Sequence, residues 1–415
     1  MGDKDPRLSE RLNRFYDHIE GEMPPAGLEH FDAGAAGRHA RVVHVWAGVA
    51  GVAAVAAAVG ALVVGLSSRG TTGPRPAPAT SHRPAQQTAT PTPSAATFPN
   101  FQPVSFSAIS ESQYWVIGYD GTTCAPCNAV LLHTVDGGAT FHQIAAPPVL
   151  LNGGVFAGVR FADASDGYAF GSTLWSTHDG GGHWKQIAVG GNVPELEPGA
   201  GGFVYAVVQA CRADLGCGND YKVERSSTSG DTWSTLSVPG QAPGEFEWIS
   251  VHGKSLWVMQ FGSGRLWISR NAGASFSQGT FPCDASLTGS LSPVSDSVIW
   301  AFCATGTKGG PVVSTDGGRT WSPQRDCCPN GGEVAGVSAS RAFVSDASVA
   351  LSETRDGGAT FHPILNWQQM SRYWGVGFTD ASVGYAVLGS PTSSELQLWR
   401  TTDGGAHWKQ VSFAS

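Results

Sequence analysis

From residue 100 to the C-terminus, short runs of alternating apolar and polar residues are separated by turn-forming residues. The clearest are VRFADASDGYAFGS at 159–172 and VGFTDASVGYAVLGS at 376–390. Alternation with a period of two places one set of side chains on each face of a β-strand, and Asp, Ala and Ser between the runs are typical of a turn. Each segment therefore predicts a strand, a turn and a second strand. Weaker copies occupy 104–119, 249–262 and 292–303.

A turn motif follows each strand pair. It has a hydroxyl residue, an acid two positions later, glycine two positions after the acid and an aromatic residue three positions after that glycine, as in STDGGRTW at 314–321. The acid position is occupied by Asp136, Asp179, Thr228, Asn271, Asp316, Asp356 and Asp403. Successive copies lie 40 to 49 residues apart, which is the length of one four-stranded propeller blade. The pattern predicts an all-β, seven-bladed propeller of four-stranded blades over residues 100–415.

The residue types of the motif indicate a structural role. An Asp at the head of a tight turn accepts hydrogen bonds from backbone N–H groups, and glycine adopts positive φ without strain. The aromatic residue is expected to pack between blades. A catalytic acid is not needed seven times, and one copy has Thr228 in its place. We therefore expect these acids to hold turns.

The motif resembles the Asp-box, or bacterial neuraminidase repeat, Ser/Thr-x-Asp-x-Gly-x-Thr/Ser-Trp/Phe. The longer unit VRFADASDGYAFGSTLWSTHDGGGHW is similar to the repeat of photosystem II assembly-factor-type propellers. The resemblance covers residues 100–415 and implies a seven-bladed Asp-box propeller. It does not imply one function, because such repeats also occur in sialidases, xyloglucan hydrolases and sorting receptors. The assembly factor acts through a basic patch, whereas residues 100–415 carry 16 basic and 25 acidic residues, which argues against the photosynthetic role.

A long apolar segment precedes the repeats. Residues 42–66 contain no Lys, Arg, Asp or Glu, and a helix of that length rises roughly 37 Å, enough to span a bilayer. This predicts one transmembrane helix between a cytoplasmic tail (1–41) and a Pro/Thr/Ser-rich linker (67–99). The tail contains a short amphipathic helix at 6–20 by the spacing of its apolar residues. Small residues repeat at intervals of four in the span, but an Ala-rich segment gives this by chance, so no oligomeric state is predicted.

The cysteines indicate which side of the membrane the repeats occupy. All eight follow the span: Cys124, Cys127, Cys211, Cys217, Cys283, Cys303, Cys327 and Cys328. An even number confined to one side fits an oxidising exterior. We expect local disulfides at 124/127 and 211/217, with a redox CxxC motif as the alternative for the first pair, while the other four can pair in several ways. The predicted location is the cell membrane, with the N-terminus in the cytoplasm and the propeller outside.

The candidate catalytic residues are two pairs of acids, Glu195 with Glu197 and Glu245 with Glu247. Within an extended segment each pair shares one face, as a glycoside hydrolase would need. The other interpretation is a solvated loop edge, which ordinary surface acids favour. Arg160 is isolated in the sequence and reads as a surface residue of its strand.

The residues give little support for a sialidase, a metal or cofactor site, or nucleic-acid binding. No Arg-Ile-Pro motif of the sialidases occurs, no HExxH or other metal spacing is present, and no cofactor or metal site is predicted. The His residues beside the turns, at 133, 142, 178, 183 and 407, are expected to be turn or surface residues. A net charge of −8 argues against a nucleic-acid partner, since phosphate binding needs clustered basic residues.

These observations favour a membrane-anchored extracellular propeller that acts as a non-catalytic binding or scaffold module for a protein or a cell-envelope glycan. The alternative is a glycoside hydrolase, sialidase-like or other, with carboxylates in the propeller funnel. A third possibility is a sensor whose tail at 6–20 docks an intracellular partner.

Overall fold

The computed structural model describes residues 97–414, apart from 122–126, 152–155, 213–215, 242–245, 284–287, 305–308, 326–332, 346–350, 366–372 and 390–395. The predicted tail, the span at 42–66 and nearly all of the linker lie outside the described residues and stay predictions. Within the described residues no helix is long and apolar enough to cross a membrane.

The described residues form seven antiparallel sheets, which we call blades 1 to 7, and one small two-stranded sheet. Blade 1 contains β1 (Phe101–Ala108), β2 (Tyr114–Asp120), β4 (Val130–Thr134) and β5 (His142–Ile144). Blade 2 contains β7 (Phe156–Phe161), β8 (Gly167–Gly171), β9 (Leu174–Thr177) and β10 (Lys185–Ile187). Blade 3 contains β11 (Gly191–Gly199), β12 (Phe203–Arg212), β13 (Gly216–Ser227) and β14 (Ser234–Thr235). Blade 4 contains β15 (Glu247–His252), β16 (Ser255–Gln260), β17 (Arg265–Ser269) and β18 (Ser277–Gly279).

The remaining blades follow the same order. Blade 5 contains β19 (Thr288–Pro293), β20 (Ile299–Ala304) and β21 (Gly309–Ser314). Blade 6 contains β22 (Val334–Gly336), β23 (Ala342–Ser345), β24 (Leu351–Thr354) and β25 (His362–Leu365). Blade 7 contains β26 (Tyr373–Phe378), β27 (Gly384–Gly389), β28 (Leu396–Thr401) and β29 (Lys409–Gln410). The small sheet pairs β3 (Cys127–Asn128) with β6 (Leu150–Leu151).

The sequence prediction of a seven-bladed all-β propeller is confirmed, with one local difference. Blade 5 has three strands among its described residues. Where a fourth strand is expected, the N–H of Ser322 donates to the carbonyl of Val313, and the Ser322 hydroxyl accepts from the N–H of Val313. Pro323 follows and has no N–H to continue the ladder, so the pairing ends after one residue.

From blade 1 to blade 7 the first strand of each blade lies against the first strand of the next, and at the closure β1 contacts β27 and β28 of blade 7. Serine side chains join several of these neighbours. Ser105 and Ser107 of β1 accept hydrogen bonds from the backbone of β7 at 3.2 and 2.7 Å, and Ser250 of β15 donates to Leu291 of β19 at 3.1 Å. Because these hydroxyls are buried, they bind the inner strands where water cannot compete.

The hydrophobic core consists of clusters between adjacent blades. The aromatic residue of each turn motif packs into the cluster shared with the preceding blade, as Trp184 does beside Trp115 and Phe161. Trp408 of blade 7 likewise makes edge contacts with Phe343 of blade 6 and with Phe378 of its own blade. The expectation that these aromatic residues pack between blades is confirmed.

The ring closes without exchange of a strand, because the first and last blades are each built from consecutive strands. Contacts between residues near the two ends of the propeller close the ring instead. The Gln102 side chain accepts a hydrogen bond from the N–H of Leu396 at 2.7 Å, and Phe413 packs against Phe101 at 4.8 Å between ring centroids. The N–H of Phe98 donates to the carbonyl of Phe413 at 2.6 Å.

Two disulfides are described in full. Cys211–Cys217 joins β12 to β13 and confirms the expected local staple. Cys283–Cys303 selects one of the pairings that the sequence left open. Cys127 is also disulfide-bonded, while Cys124, Cys327 and Cys328 lie outside the described residues.

Candidate functional site

Six of the seven turn motifs share one hydrogen-bonding pattern. The hydroxyl that begins each motif donates to the side-chain oxygen of the Asp or Asn at 2.7–2.9 Å. It accepts from the N–H of the glycine two residues after that Asp or Asn at 2.8–3.0 Å. The Asp or Asn oxygen also accepts from the N–H four residues further on at 2.8–2.9 Å. These carboxylates therefore hold turns, as predicted.

The backbone of these turns needs two left-handed residues in succession. In the copy at Asp316, both Gly317 and Gly318 have positive φ, at 81° and 95°. In the Asn271 copy the first of the two positions is Ala272, with φ 57°, the single non-glycine residue with positive φ in the described part of the chain. The sequence predicted only the second left-handed position.

The turn motif that contains Thr228 has a different hydrogen-bonding pattern. The N–H of Gly230 donates to the carbonyl of Ser227 at 3.0 Å, and the Ser226 hydroxyl donates to the carbonyl of Gly230 at 3.0 Å. Gly230 is not left-handed, so the expectation of positive φ is wrong at this glycine. Without an acid to collect N–H groups, this turn has a different shape.

A second repeated feature, which the sequence reading did not identify, joins each blade to the next. Each blade has an aromatic residue near the start of its second strand that is at most 1% exposed: Trp115, Tyr168, Tyr205, Trp257, Trp300, Phe343 and Tyr385. Trp115 donates to the carbonyl of Gly180 in the next blade at 3.2 Å. In other blades an arginine makes the equivalent bond, as Arg400 does to the carbonyl of Gly137 at 3.0 Å.

The acceptor is often the first left-handed residue of the turn, which points its carbonyl at the preceding blade. Gly180, Ala272, Gly317 and Gly137 all accept such a bond. The turn motif thus stabilises its own loop and supplies the acceptor for its neighbour. The recurring aromatic residue in GYAF, LWVM, IWAF and GYAV was the available sequence signal.

The candidate acids Glu195 and Glu197 lie on the inner strand β11 and are buried, at 2% and 1% exposure. They share one face of the strand, while Leu196 between them packs in the core between blades 2 and 3. Arg160 of β7 is 2% exposed and places its guanidinium 3.9 Å from Glu197. The interpretations of Glu195 and Glu197 as solvated and of Arg160 as a surface residue are therefore wrong, because all three face the ring's interior.

Glu333, just before β22, completes what we call the axial cluster: Arg160, Glu195, Glu197 and Glu333. Its side chain is buried, and within the described residues neither carboxylate oxygen has a hydrogen-bond partner. Burial raises the pKa of Glu333 well above its ordinary value, the nearby Glu195 raises it further, and Arg160 opposes both effects. Blade 6 does not adjoin blades 2 or 3, so these side chains meet across the axis of the ring. Nothing near Glu333 in sequence pointed to this contact.

The second candidate pair does not form an active-site pair in the structure. Glu247 is 1% exposed, and its two carboxylate oxygens accept hydrogen bonds from Gln260 at 3.0 Å and Gln241 at 2.8 Å. It therefore has a structural role in blade 4. Glu245 lies outside the described residues.

The turn histidines have more than one role. His183 and His407 donate through Nδ1 to Asp179 and Asp403 at 2.6 and 2.7 Å, where other copies use a Thr or Ser hydroxyl. They are turn residues, as expected. His133 stacks on Trp115 with 4.5 Å between ring centroids.

A surface cavity of about 410 Å³ lies where blades 7 and 1 meet. Arg400, His407 and Lys409 line it beside Gly137. Arg400 also donates to the carbonyl of Glu111 at 2.7 Å. The cavity is a polar, partly basic depression in a domain that is acidic overall.

The fold and the turn geometry define a class of protein, the Asp-box β-propellers. Residues 312–323 match the model of the BNR/Asp-box repeat, and the chain is a seven-bladed propeller of this repeat type. Among proteins of curated function, none matches the sequence.

Solved structures with this fold include one described as YCF48 bound to D1 peptide. It is 18% identical, with 74% of this chain and 96% of that chain aligned and a TM-score of 0.51. Virginiamycin B lyase from Staphylococcus aureus is 10% identical, with 74% and 98% aligned and a TM-score of 0.51. At these identities the similarity concerns the fold alone.

Proposed function

We propose that the chain is a membrane-anchored extracellular propeller that binds a protein or a cell-envelope glycan and does not catalyse a reaction. The main support is the state of its acids. The Asp-box carboxylates are engaged in turns, and Glu195, Glu197 and Glu333 are no more than 2% exposed. A hydrolase needs two carboxylates that reach the scissile bond, and burial to this degree keeps a polymer away from them.

A protein partner is the first form of this proposal. A structure with the same fold is described as YCF48 bound to D1 peptide, so a propeller of this shape can hold a peptide. The cavity between blades 7 and 1, with Arg400 and Lys409 in its wall, is a place where polar groups of a partner could be held. The predicted span at 42–66 would keep this surface at the membrane.

The binding proposal is tested with the full-length chain in lipid nanodiscs. Cross-linking to envelope proteins and co-sedimentation with purified envelope glycan should recover a saturable partner in one of the two arms. Replacement of Lys409 by Glu should weaken that binding, whereas replacement of the distant Lys222 should not. Saturable binding in neither arm, together with turnover of a glycan, would contradict the proposal.

The location is tested separately in intact cells. Protease added outside should cut the propeller, and a tag at residue 1 should remain protected. The reverse pattern would show that the predicted orientation is wrong.

A glycoside hydrolase is the alternative, and the axial cluster is the observation that favours it. Glu195 raises the pKa of Glu333, and a carboxyl group whose pKa is raised by burial and by a neighbouring acid occurs in acid–base catalysis. If the chain hydrolyses a glycan through this cluster, Glu195→Gln and Glu333→Gln should each abolish turnover while the fold is retained. Turnover that survives both substitutions would remove the cluster from the reaction.

A further inference from the structure

His178, between blades 2 and 3, has a carboxylate at each of its ring nitrogens. Nδ1 lies 2.6 Å from Oδ1 of Asp166, which precedes β8. Nε2 lies 3.2 Å from Oδ1 of Asp231, in the turn that follows β13. The contacts therefore run from blade 2 through the imidazole to the outer turn of blade 3.

The chemistry of the two contacts determines the charge of the ring. An ionised carboxylate only accepts hydrogen bonds, and a neutral imidazole has one N–H to donate. Both contacts can be hydrogen bonds at once only if the ring carries two protons or one carboxyl group carries one. Asp231 is held ionised by Lys185 at 2.8 Å and by the Ser176 hydroxyl at 2.7 Å. The second proton then lies on His178 or on Asp166, and we assign it to His178 because an imidazole is ordinarily a stronger base than a carboxylate.

The balance of charges supports this assignment. Among the described residues, the ionisable groups in contact with the ring are Asp166 and Asp231, and Lys185 contacts Asp231 from β10. With His178 protonated, these four groups sum to zero, and with His178 neutral they sum to −1. Asp163, the next carboxylate along the loop, accepts the N–H groups of Ser165 and Asp166, which keeps Asp166 in place. Asp179 is engaged by His183 within its own turn.

The contacts of His178 involve the turn of blade 3, which is the one copy of the motif with neither Asp nor Asn at its acid position. Blade 3 has Thr228 where other blades have Asp or Asn, and its acid, Asp231, comes three residues later. The corresponding positions of the other copies hold Ala, Gly or Arg. The displaced carboxylate is directed at the neighbouring blade, beside the bond from the Tyr168 hydroxyl to the carbonyl of Thr228 at 2.5 Å.

We propose that His178 is a pH-operated clasp, closed when its ring is protonated, that ties blade 2 to the outer turn of blade 3. When the ring loses a proton, one of its two carboxylate contacts loses its hydrogen bond, and the turn around Asp231 opens more readily. The clasp would couple the local acidity to the loops of a binding propeller. It does not depend on what that propeller binds.

The direction of the effect follows from linkage. Burial of the ring lowers the pKa of His178, but the hydrogen bonds to Asp166 and Asp231 outweigh burial and raise it above its ordinary value of 6.5. The folded state then holds more protons than the unfolded state above that value. The stability from the clasp is complete below pH 6.5 and is lost as the pH rises through the folded pKa.

Hydrogen exchange of the full-length chain, corrected for the intrinsic pH dependence, tests the clasp. In the parent, the equilibrium constant for opening of residues 229–235 should increase as the pH rises above 6.5. The total increase should be roughly tenfold for each unit by which folding raises the pKa of His178, because one pKa unit corresponds to a factor of ten. His178→Gln should remove this rise. His183→Gln is the matched control and should leave it unchanged, since the His183 side chain is 94% exposed and its ion pair is with Asp179 of its own turn. A parent without the rise, or a His178→Gln variant that keeps it, would overturn the proposal.

A second measurement does not depend on the folding of a variant. Nitrogen-15 spectra of the histidine rings should show both nitrogens of His178 protonated at pH 6.5, and a midpoint above that of His133, whose pKa burial and His142 lower. Replacement of Asp231 by Asn should move the midpoint of His178 down. A neutral His178 ring at pH 6.5 would contradict the clasp.

Discussion

Asp316 illustrates how one residue determines a turn. Its side chain accepts hydrogen bonds from the Ser314 hydroxyl, the N–H groups of Arg319 and Thr320, and the Thr320 hydroxyl. The bonds from Thr320 lower the pKa of Asp316 most, and the Ser314 and Arg319 bonds add to this effect. An ionised carboxylate collects these donors better than a neutral side chain of the same size.

We expect Asp316→Ala to lower the melting temperature and Asp316→Asn to lower it less, because Asn271 in blade 4 accepts the corresponding bonds from the Ser269 hydroxyl and the Ser275 N–H. The Asp316 contribution should be present above the ordinary Asp pKa and be lost as the pH falls through the lowered folded pKa. Calorimetry of both variants at neutral and acidic pH checks this. Equal melting temperatures for the Ala variant and the parent at neutral pH would contradict it.

Substitutions at the first left-handed position of two turns, Ala272 and Gly317, should change the stability in opposite directions. Ala272→Gly should stabilise the protein by up to about 1 kcal/mol, because glycine relieves the strain of positive φ and loses part of that gain as chain entropy. Gly317→Ala should destabilise it by more than about 1 kcal/mol, since a Cβ would also lie 2.3 Å from Nη2 of Arg270 and 2.9 Å from the carbonyl of Asp296. Denaturant unfolding of the two variants should give free-energy changes of opposite sign.

At the scale of elements, buried aromatic donors on four second strands each bond to the following blade: Trp115, Tyr168, Trp257 and Trp300. Trp300 is 0% exposed and donates to the carbonyl of Ser338 in blade 6 at 2.7 Å. Trp321, from the turn of blade 5, donates to the carbonyl of Thr280 at 2.7 Å in a more exposed position. The two bonds have the same length and differ in access to water.

We expect Trp300→Phe to cost about 2 kcal/mol, because it removes a buried bond and part of a buried ring. Trp321→Phe should cost less than about 1 kcal/mol, since water can replace its bond. Unfolding in urea measures both changes. Equal costs would show that the bonds between blades contribute little beyond packing.

At the scale of the whole molecule, ring closure brings together charges that are distant in sequence. Glu333 of blade 6 faces Glu195 of blade 3 and Arg160 of blade 2, and burial followed by Glu195 raises the pKa of Glu333. The folded state therefore binds more protons than the unfolded state between the ordinary Glu value of 4.5 and the raised value. Stability from a protonated Glu333 is lost as the pH rises through that range.

We expect Glu333→Gln to be more stable than the parent at neutral pH, with a difference that grows as the pH rises above 4.5. Glutamine keeps the shape and has no charge to bury. Melting temperatures of both proteins across this range check the prediction, and Glu353→Gln is a control because Arg341 and Arg355 already pair with that acid. A variant that is less stable than the parent at every pH would contradict it.

Spacing and residue type alone predicted the fold and the role of the repeated acids. The fold is predicted by local properties of the chain: period-two alternation, the turn at each copy of the motif and the interval of 40 to 49 residues between copies. The sequence therefore determined the seven blades and the structural role of residues such as Asp316. The predicted span at 42–66 is local too and stays a prediction. Even the exception at Thr228 was visible, although the contact of His178 with Asp231 in the same turn was not recognised.

Only the tertiary structure decided which residues meet across blades. The side chains of Arg160, Glu195 and Glu333 come from three blades and lie more than 30 residues apart in the sequence, and no local pattern records that they share the ring axis. The same holds for Asp166, His178 and Asp231, and for closure by Gln102 and Phe413. A turn is specified by neighbours in the chain, whereas the environment of a buried charge is specified by the ring that encloses it, which exists only once all seven blades have packed.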